Sequence, residues 1–218
     1  MTAREAILAR IRKAHGREGA APTEAELTNA RNVIAARARG PQPSIARPAD
    51  REQQFLRECD RLGTTHSHAE TMARVPVEVA RYLDANAIER RVVGWPQLAG
   101  LDWAAADVRF DDRLAEPTDH VGVTGCFCAI AETGTLLLLG AAETPKKTAL
   151  LPETHVALVS RARLVDTMED AFALLRAERG EPPRATWFVS GPSRTADIEQ
   201  TIVIGAHGPY RVHAILVP

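Results

Sequence analysis

Residues 121–139, VGVTGCFCAIAETGTLLLL, form the most apolar stretch of the chain. Thr124-Gly125 closes its first apolar run, and Glu132-Thr133-Gly134 has the composition of a turn. The pattern predicts strands of a buried core that are broken by this turn. The stretch decides the fold because everything around it must supply the layers that cover it.

Around this stretch, strand patterns alternate with helix patterns. The predicted strands are 91–94, 107–110, 155–159, 186–189 and 210–217. The predicted helices are 49–63, 68–88 and 164–179, the second of them interrupted or begun afresh near Pro76. Strands separated by helices of this length indicate an α/β fold with a mainly parallel sheet covered on both faces. Ligands of such sheets usually bind at the carboxyl ends of the strands.

The first 40 residues are predicted to be a helical arm, separate from an α/β domain at 41–218. Residues 2–14 repeat apolar side chains at helical spacing, and Thr23 followed by Glu26 fits the start of a second helix. A breaker at 40–44, Gly-Pro-Gln-Pro-Ser, follows. Packing of this arm on the domain or on a partner, and a loosely ordered tail, are both open.

Composition excludes several classes of protein. The 218 residues are 45% hydrophobic and 25% charged with a formal net charge of −1, which does not favour nucleic-acid binding. No stretch reaches the roughly 20 apolar residues of a membrane span. The amphipathic N-terminus lacks the apolar block of a signal peptide, so a cytoplasmic location is expected.

The three cysteines, Cys59, Cys126 and Cys128, predict neither a disulfide framework nor an iron–sulfur cluster, because they are few and form no CxxC pair. Cys126 and Cys128 are expected to be small apolar residues on one strand face. His66 and His68 have no third ligand at convincing spacing, so they are interpreted as polar residues at a helix start and no metal is expected.

Glu132 is the first candidate for chemistry, because it stands at the mouth of an apolar core. A partly desolvated carboxylate has a raised pKa and suits proton transfer or nucleophilic attack. Alternatively, residues 131–135, AETGT, are a hairpin turn whose carboxylate faces water.

Two further polar segments follow strands or precede them. In residues 190–199, SGPSRTADIE, the serines, free amides and Arg194 could hold a phosphate or carboxylate, but Asp197 and Glu199 also suit a plain helix start. His207, in Gly-Ala-His-Gly-Pro at 205–209, is a possible acid–base partner or a structural histidine. Lys146 and Lys147 could steer an anion or simply be solvated.

Four motifs in this order, AETGT, LLPETH, SGPSRTADIE and GAHGP, resemble the LUD-domain family, and within it the C-type lactate-utilisation proteins. The match is continuous from about residue 120 to 218. It implies a Rossmann-like α/β sandwich similar to sugar-phosphate isomerases and CoA-transferases. It also implies a cytosolic role in the oxidation of L-lactate to pyruvate, together with iron–sulfur partner subunits that carry the clusters this chain lacks.

The resemblance brings the polar segments into one expected pocket mouth, formed by 124–135, 190–199 and 205–209. It would bind a small carboxylate or a docking surface of the redox partners. The candidate catalytic residues are Glu132, Asp197 and His207. The candidate ligand-binding residues are Thr124, Thr133, Gly134, Ser190, Gly191, Ser193, Arg194, Thr195, Glu199 and Gly208.

Two alternatives to a lactate-oxidation subunit stay open. One is a stand-alone transferase or isomerase that uses Glu132 on a CoA ester or sugar phosphate, which the fold kinship suggests only weakly. The other is a scaffold without a working site.

Overall fold

A computed structural model describes residues 2–17, 21–41, 50–197 and 199–218. The chain divides into two compact units, Met1–Ile45 and Ala46–Pro218. The first contains helices α1 (Ala3–Ala14) and α2 (Glu24–Ala36). Each begins with a reciprocal capping box, Thr2 with Glu5 and Thr23 with Glu26, so the predicted helix start at Thr23 is confirmed. Within these described helices, no residue is buried.

The second unit contains four α-helices and twelve strands among its described residues. In chain order they are α3 (Arg51–Leu62), β1 (Thr65–His68), α4 (Val75–Ala85), β2 (Arg91–Gly94), β3 (Arg109–Asp111), β4 (Val121–Gly125), β5 (Cys128–Ile130), β6 (Thr135–Leu139), α5 (Lys147–Leu150), β7 (Thr154–Ser160), β8 (Leu164–Val165), α6 (Met168–Arg179), β9 (Thr186–Val189), β10 (Arg194–Thr195), β11 (Val203–Ile204) and β12 (Arg211–Val217).

The central sheet has six strands in the order β1-β12-β7-β4-β2-β3, and every neighbouring pair is parallel. The predicted parallel α/β fold is therefore confirmed. A second sheet, in the order β8-β5-β6-β9, is mostly antiparallel and was not predicted. Strands β10 and β11 form a separate small hairpin.

Alternating side chains place a different cluster on each face of the central sheet. On one face, Val123, Val156 and Ile215 pack in a cluster with Val79 and Leu83 of α4. On the other, Ala157, Val159, Ala214 and Leu216 share a cluster with Phe55 and Cys59 of α3 and with Leu136 and Leu138 of β6. The second sheet packs its far side, through Ile130 and Leu137, on Ala171 of α6. The order of layers is therefore α4, central sheet, α3 with the second sheet, and α6.

Two local predictions are wrong, and one open alternative does not hold. His66 and His68 lie on β1 instead of at a helix start, because parallel pairing with His213–Leu216 outweighs the helical pattern that follows. The acids after Ser193 do not begin a helix, since Arg194 and Thr195 pair with Val203 and Ile204.

Cys126 and Cys128 do not share a strand face. Cys126 lies between β4 of one sheet and β5 of the other, and Cys128 belongs to β5. The chain changes sheets at this point, so the two thiols enter different apolar clusters.

Candidate functional site

The path of the chain through the central sheet reverses between β2 and β4. From β2 the chain moves outward to β3, then returns to β4 on the other side of β2 and continues away through β7 and β12. The segments that follow β2 and β4 therefore leave in opposite directions at the carboxyl ends of neighbouring strands. Such a switch point leaves a crevice in open parallel sheets, and ligands bind there.

A cavity of about 590 Å³ lies at this switch point. Trp95 and Gln97 directly follow β2 on its wall, and Cys126 and Phe127 directly follow β4. The other lining residues come from the end of β6 and its loop, from the segment before β8 and from the end of α6: Leu139, Gly140, Ala141, Glu143, Thr144, Arg163, Glu178, Arg179, Glu181 and Pro183. We call this space the switch-point cavity.

Arg163 is held rigidly in the wall of this cavity. Its Nη1 and Nη2 donate to the two carboxylate oxygens of Glu178 at 3.0 and 2.9 Å, and its Nε donates to the carbonyl of Phe127. The guanidinium also lies 4.5 Å from the centroid of the Phe127 ring. The Arg163 hydrogen bonds lower the pKa of the Glu178 carboxyl, so the pair stays ionised at neutral pH.

The apolar part of the wall carries no charge, and a hydrogen bond fixes its indole ring. Trp95 Nε1 donates to the carbonyl of Pro145 at 3.3 Å, which fixes the indole. Burial raises the pKa of the Cys126 thiol to about 12, so it is protonated and unreactive as a nucleophile at neutral pH.

The AETGT segment forms the turn between β5 and β6. Gly134 adopts φ +59°, and a Cβ on it would lie 2.8 Å from the backbone of Cys59 and of Glu58 in α3. Glu132 is half-buried, and one carboxylate oxygen accepts a hydrogen bond from the amide of Met168 at 3.0 Å. Since Met168 is the first residue of α6, this carboxylate stabilises a helix N-terminus.

Hydroxyl groups join the turn to the beginning of SGPSRTADIE. Thr135 Oγ1 lies 2.8 Å from Thr133 Oγ1 and 2.7 Å from Ser190 Oγ. Gly191 packs on the end of α3, where an added Cβ would lie 2.9 Å from the Leu62 carbonyl oxygen. Arg194 donates to that same oxygen at 2.7 Å. These contacts use the polar groups to connect the second sheet to α3.

The third segment joins the second through its backbone. Ser193 donates to the Pro209 carbonyl at 2.9 Å, and Gly205 donates to the Ser193 carbonyl at 2.9 Å. Gly208 lies against Ser193, with 3.3 Å between an added Cβ and the serine Cβ. Gly208 also lines a second cavity of about 470 Å³, next to Glu153 and Arg211 at the amino end of the central sheet.

The remaining predicted residues of these segments face solvent or one another. Asp197, Glu199 and His207 are exposed, and Thr195 Oγ1 donates to Asp197 at 2.7 Å. The three candidate catalytic residues thus lie at three separate places: Glu132 at the start of α6, Asp197 after β10 and His207 before β12.

Thr124 lies apart from the third segment. It is fully buried, with Oγ1 2.8 Å from Nε2 of His155, and burial lowers the pKa of that histidine to about 4. Register places Thr124 level with Ala214, five residues after Pro209, or about 16 Å further along the sheet at ~3.3 Å per residue. The structure therefore brings 131–135 together with Ser190 and Gly191, and 193 together with 205–209, but it keeps Thr124 apart from residues 205–209.

None of the candidate site residues lines the switch-point cavity, although the expected mouth at 124–135 includes Cys126 and Phe127. A signal was present for two of the lining residues, because Trp95 and Cys126 each directly follow a strand that ends in glycine, at the end of the sheet where ligands bind. For Arg163 and Glu178 no local pattern existed, since their pairing depends on the packing of α6.

Two absences concern only the described part of the chain. No group of three or more histidine, cysteine, aspartate or glutamate side chains is placed there to hold a metal ion. No helix there has the length and apolar character needed to cross a lipid bilayer.

Fold and site together define a Rossmann-like α/β protein with a small-molecule-sized cavity at the switch point of its parallel sheet. The family model of the LUD domain matches residues 52–217, so the chain belongs to the LUD domain family. The chain is also similar to a crystal structure of a DUF162 family protein from Deinococcus radiodurans. That similarity has a TM-score of 0.54 and 26% identity, and it covers 78% of this chain and 100% of that one.

Two of the curated relatives are named lactate utilization protein C. Lactate utilization protein C 1 of Bacillus mycoides is 36% identical over 118 residues, which are 53% of this chain and 50% of that protein. Lactate utilization protein C of Exiguobacterium sp. is 28% identical over 234 residues, covering 100% of this chain and 96% of that protein. The Bacillus mycoides match thus spans about half of that relative's length, whereas the Exiguobacterium match is nearly complete.

Proposed function

We propose that this chain is a cytosolic component of an L-lactate utilisation system and takes part in the oxidation of L-lactate to pyruvate. The observation that carries the proposal is the alignment of the whole chain with a relative named lactate utilization protein C, over 96% of that relative. The match of the LUD domain over residues 52–217 supports it, because it covers the α3-to-β12 part of the fold.

In this proposal the electrons pass to iron–sulfur partner subunits. Cluster ligation needs several thiolates close together. Cys59 and Cys128 are buried free thiols, and Cys126 is a partly buried free thiol in the wall of the switch-point cavity. Burial raises the pKa values of Cys59 and Cys126 to about 12 and that of Cys128 to about 11. This donor set does not fit a cluster, which supports placing the clusters on the partners.

The contacts of Glu132 favour the subunit role over the stand-alone enzyme. A catalytic base or nucleophile needs its carboxylate oxygens available to substrate. One carboxylate oxygen of Glu132 already accepts a hydrogen bond from the amide of Met168, the first residue of α6. We therefore propose that the main role of AETGT and SGPSRTADIE is structural, and that they hold the second sheet, α3 and α6 together.

Growth on L-lactate as sole carbon source tests the proposal. A deletion strain is complemented with the unchanged chain, with Glu132→Gln and with Asp197→Asn, and the fold and abundance of each variant are checked. We expect no growth of the deletion strain and rescue by all three chains. Failure of either variant at normal abundance would show that the motifs form a working site. Normal growth of the deletion strain would refute the lactate role.

A further inference from the structure

The switch-point cavity can be considered separately from the lactate role. None of its lining residues belongs to AETGT, SGPSRTADIE or GAHGP. Its position follows from the strand order alone. An inference about its ligand therefore does not rest on the proposed function.

The size of the cavity indicates a ligand larger than lactate. Sites for small molecules and cofactors occupy roughly 300–1,000 Å³ and enclose most of the ligand surface. The switch-point cavity, at about 590 Å³, lies inside this range. A three-carbon acid would fill only a small part of it and would leave the aromatic wall uncovered.

The charges of the cavity do not favour an anion. Arg163 is neutralised by its two hydrogen bonds to Glu178. The other charged residues of the lining are the carboxylates of Glu143 and Glu181 and the guanidinium of Arg179. This polar wall also includes the last residues of α6, and a helix C-terminus carries partial negative charge. The polar wall therefore favours N–H donors of a ligand over a carboxylate or phosphate.

The apolar wall, which adjoins the polar one where Arg163 lies on Phe127, suits a flat ring. Trp95, Phe127 and Leu139 supply apolar surface, and the thiol of Cys126 is uncharged. Aromatic side chains prefer offset-stacked or edge-on contacts with other rings. The Phe127 ring is already kept in place by the guanidinium of Arg163, so this wall is preorganised.

We propose that the switch-point cavity binds a planar, uncharged heteroaromatic molecule with N–H donors, of the size of a nucleoside or an isoalloxazine, and that it does not recognise lactate. The ring lies on the apolar wall. Its N–H groups face the carboxylates at the end of α6.

Equilibrium binding to the purified full chain tests this proposal. The probes are adenosine and riboflavin, their phosphates AMP and FMN, and L-lactate, each measured alone by calorimetry. We expect at least one uncharged ring compound to bind with a Kd below about 1 mM, more tightly than its phosphate, and lactate not to bind in this range.

Two exposed alanines give a matched pair of variants. Ala141 lines the cavity and Ala105 does not, so Ala141→Trp places an indole in the cavity and Ala105→Trp places one elsewhere on the surface. We expect Ala141→Trp to weaken binding of the ring compound by at least about tenfold, and Ala105→Trp to leave it unchanged.

Three results would overturn the proposal: no binding of either ring compound, tighter binding of the phosphates or of lactate, or equal binding by Ala141→Trp and the unchanged chain. These outcomes are independent of the growth experiment. A deletion strain that fails on lactate while no ring compound binds would retain the proposed function and remove this inference.

Discussion

The two ends of β6 differ in how their polar groups are used. At Thr135, where the strand begins, hydroxyl groups contact one another, and Gly134 packs directly on α3. At Leu139, where it ends, the chain borders a cavity of about 590 Å³. The five residues of β6 therefore connect a closed cluster, formed by Thr133, Gly134, Thr135 and Ser190, to the open switch-point cavity.

The difference shows that the segments recognisable in this sequence and the space available to a ligand are not the same part of the molecule. The closed cluster uses turn, cap and glycine chemistry, which leaves clear sequence patterns. The switch-point cavity is built from strand order and from an ion pair between distant residues, Arg163 and Glu178. Substitutions in the closed cluster should therefore lower the stability of the fold. Substitutions at the switch-point cavity should affect ligand binding and leave the stability nearly unchanged.

Gly134→Ala is expected to have the largest effect on stability. The added Cβ would lie 2.8 Å from α3 backbone atoms, and the φ of +59° is unfavourable for alanine. Overpacking and left-handed strain together predict a loss of ~2–4 kcal/mol in the free energy of unfolding. Urea denaturation measures it.

Gly180→Ala is the control for that measurement. Gly180 has φ +72° and ψ −74° but no atom within 4 Å of an added Cβ, so only the backbone strain applies, ~1–2 kcal/mol. Equal losses in the two variants would contradict the close contact between AETGT and α3.

Stability should fall below neutral pH because His155 is fully buried in the central sheet. Burial lowers the native pKa of His155 to about 4, whereas the unfolded value is about 6.5. Protonation then favours the unfolded chain, so the contribution is complete above pH ~6.5 and is lost as pH falls toward 4. Between pH 7 and 5 this histidine alone should cost ~2 kcal/mol.

Urea unfolding of His155→Gln at both pH values isolates this contribution. His213, whose pKa burial also lowers to about 4, stays in the variant and keeps its own share of the pH dependence. The variant should therefore lose about half of the histidine-dependent change. An unaltered pH dependence would show that His155 is not dehydrated.

Sequence patterns predicted the parts of the fold that depend on local chemistry. The capping box of Thr23 and Glu26, the end of α3 at Gly63 and the strand at 91–94 are formed by neighbours in the chain. His66 and His68 were assigned to a helix start because nothing nearby reveals their pairing with β12. The second sheet was missed for the same reason, since β6 pairs with β9 about fifty residues later.

The site was predictable only in its general position. Parallel strands predict a ligand at their carboxyl ends, and Trp95 and Cys126 stand there in the sequence. The selection of Glu132, Asp197 and His207 relied on residue type, and the structure places these three in separate contacts. Which strands are neighbours, and hence where the chain reverses, depends on tertiary packing.

Glu132→Ala should have a moderate effect, because it removes an acceptor at the start of α6. Loss of a hydrogen bond to the Met168 amide and of a negative charge at a helix N-terminus predicts a decrease of ~1 kcal/mol in the free energy of unfolding. Glu132→Gln keeps an acceptor and should lose less. A larger loss in Gln than in Ala would contradict the capping role.

Ala141→Trp should have the smallest effect, and it is the counterpart of Gly134→Ala. Ala141 is exposed at the cavity. Its amide donates to Thr144 Oγ1 at 3.0 Å and its carbonyl accepts from the Thr144 amide at 3.3 Å, and tryptophan retains both backbone bonds. A change within about 0.5 kcal/mol is expected, as for other surface positions. One added carbon at the start of β6 would then cost more than a whole indole beyond its end. A loss comparable to that of Gly134→Ala would show that the two ends of the strand are equally closed, and that the space beyond Leu139 is not available to a ligand.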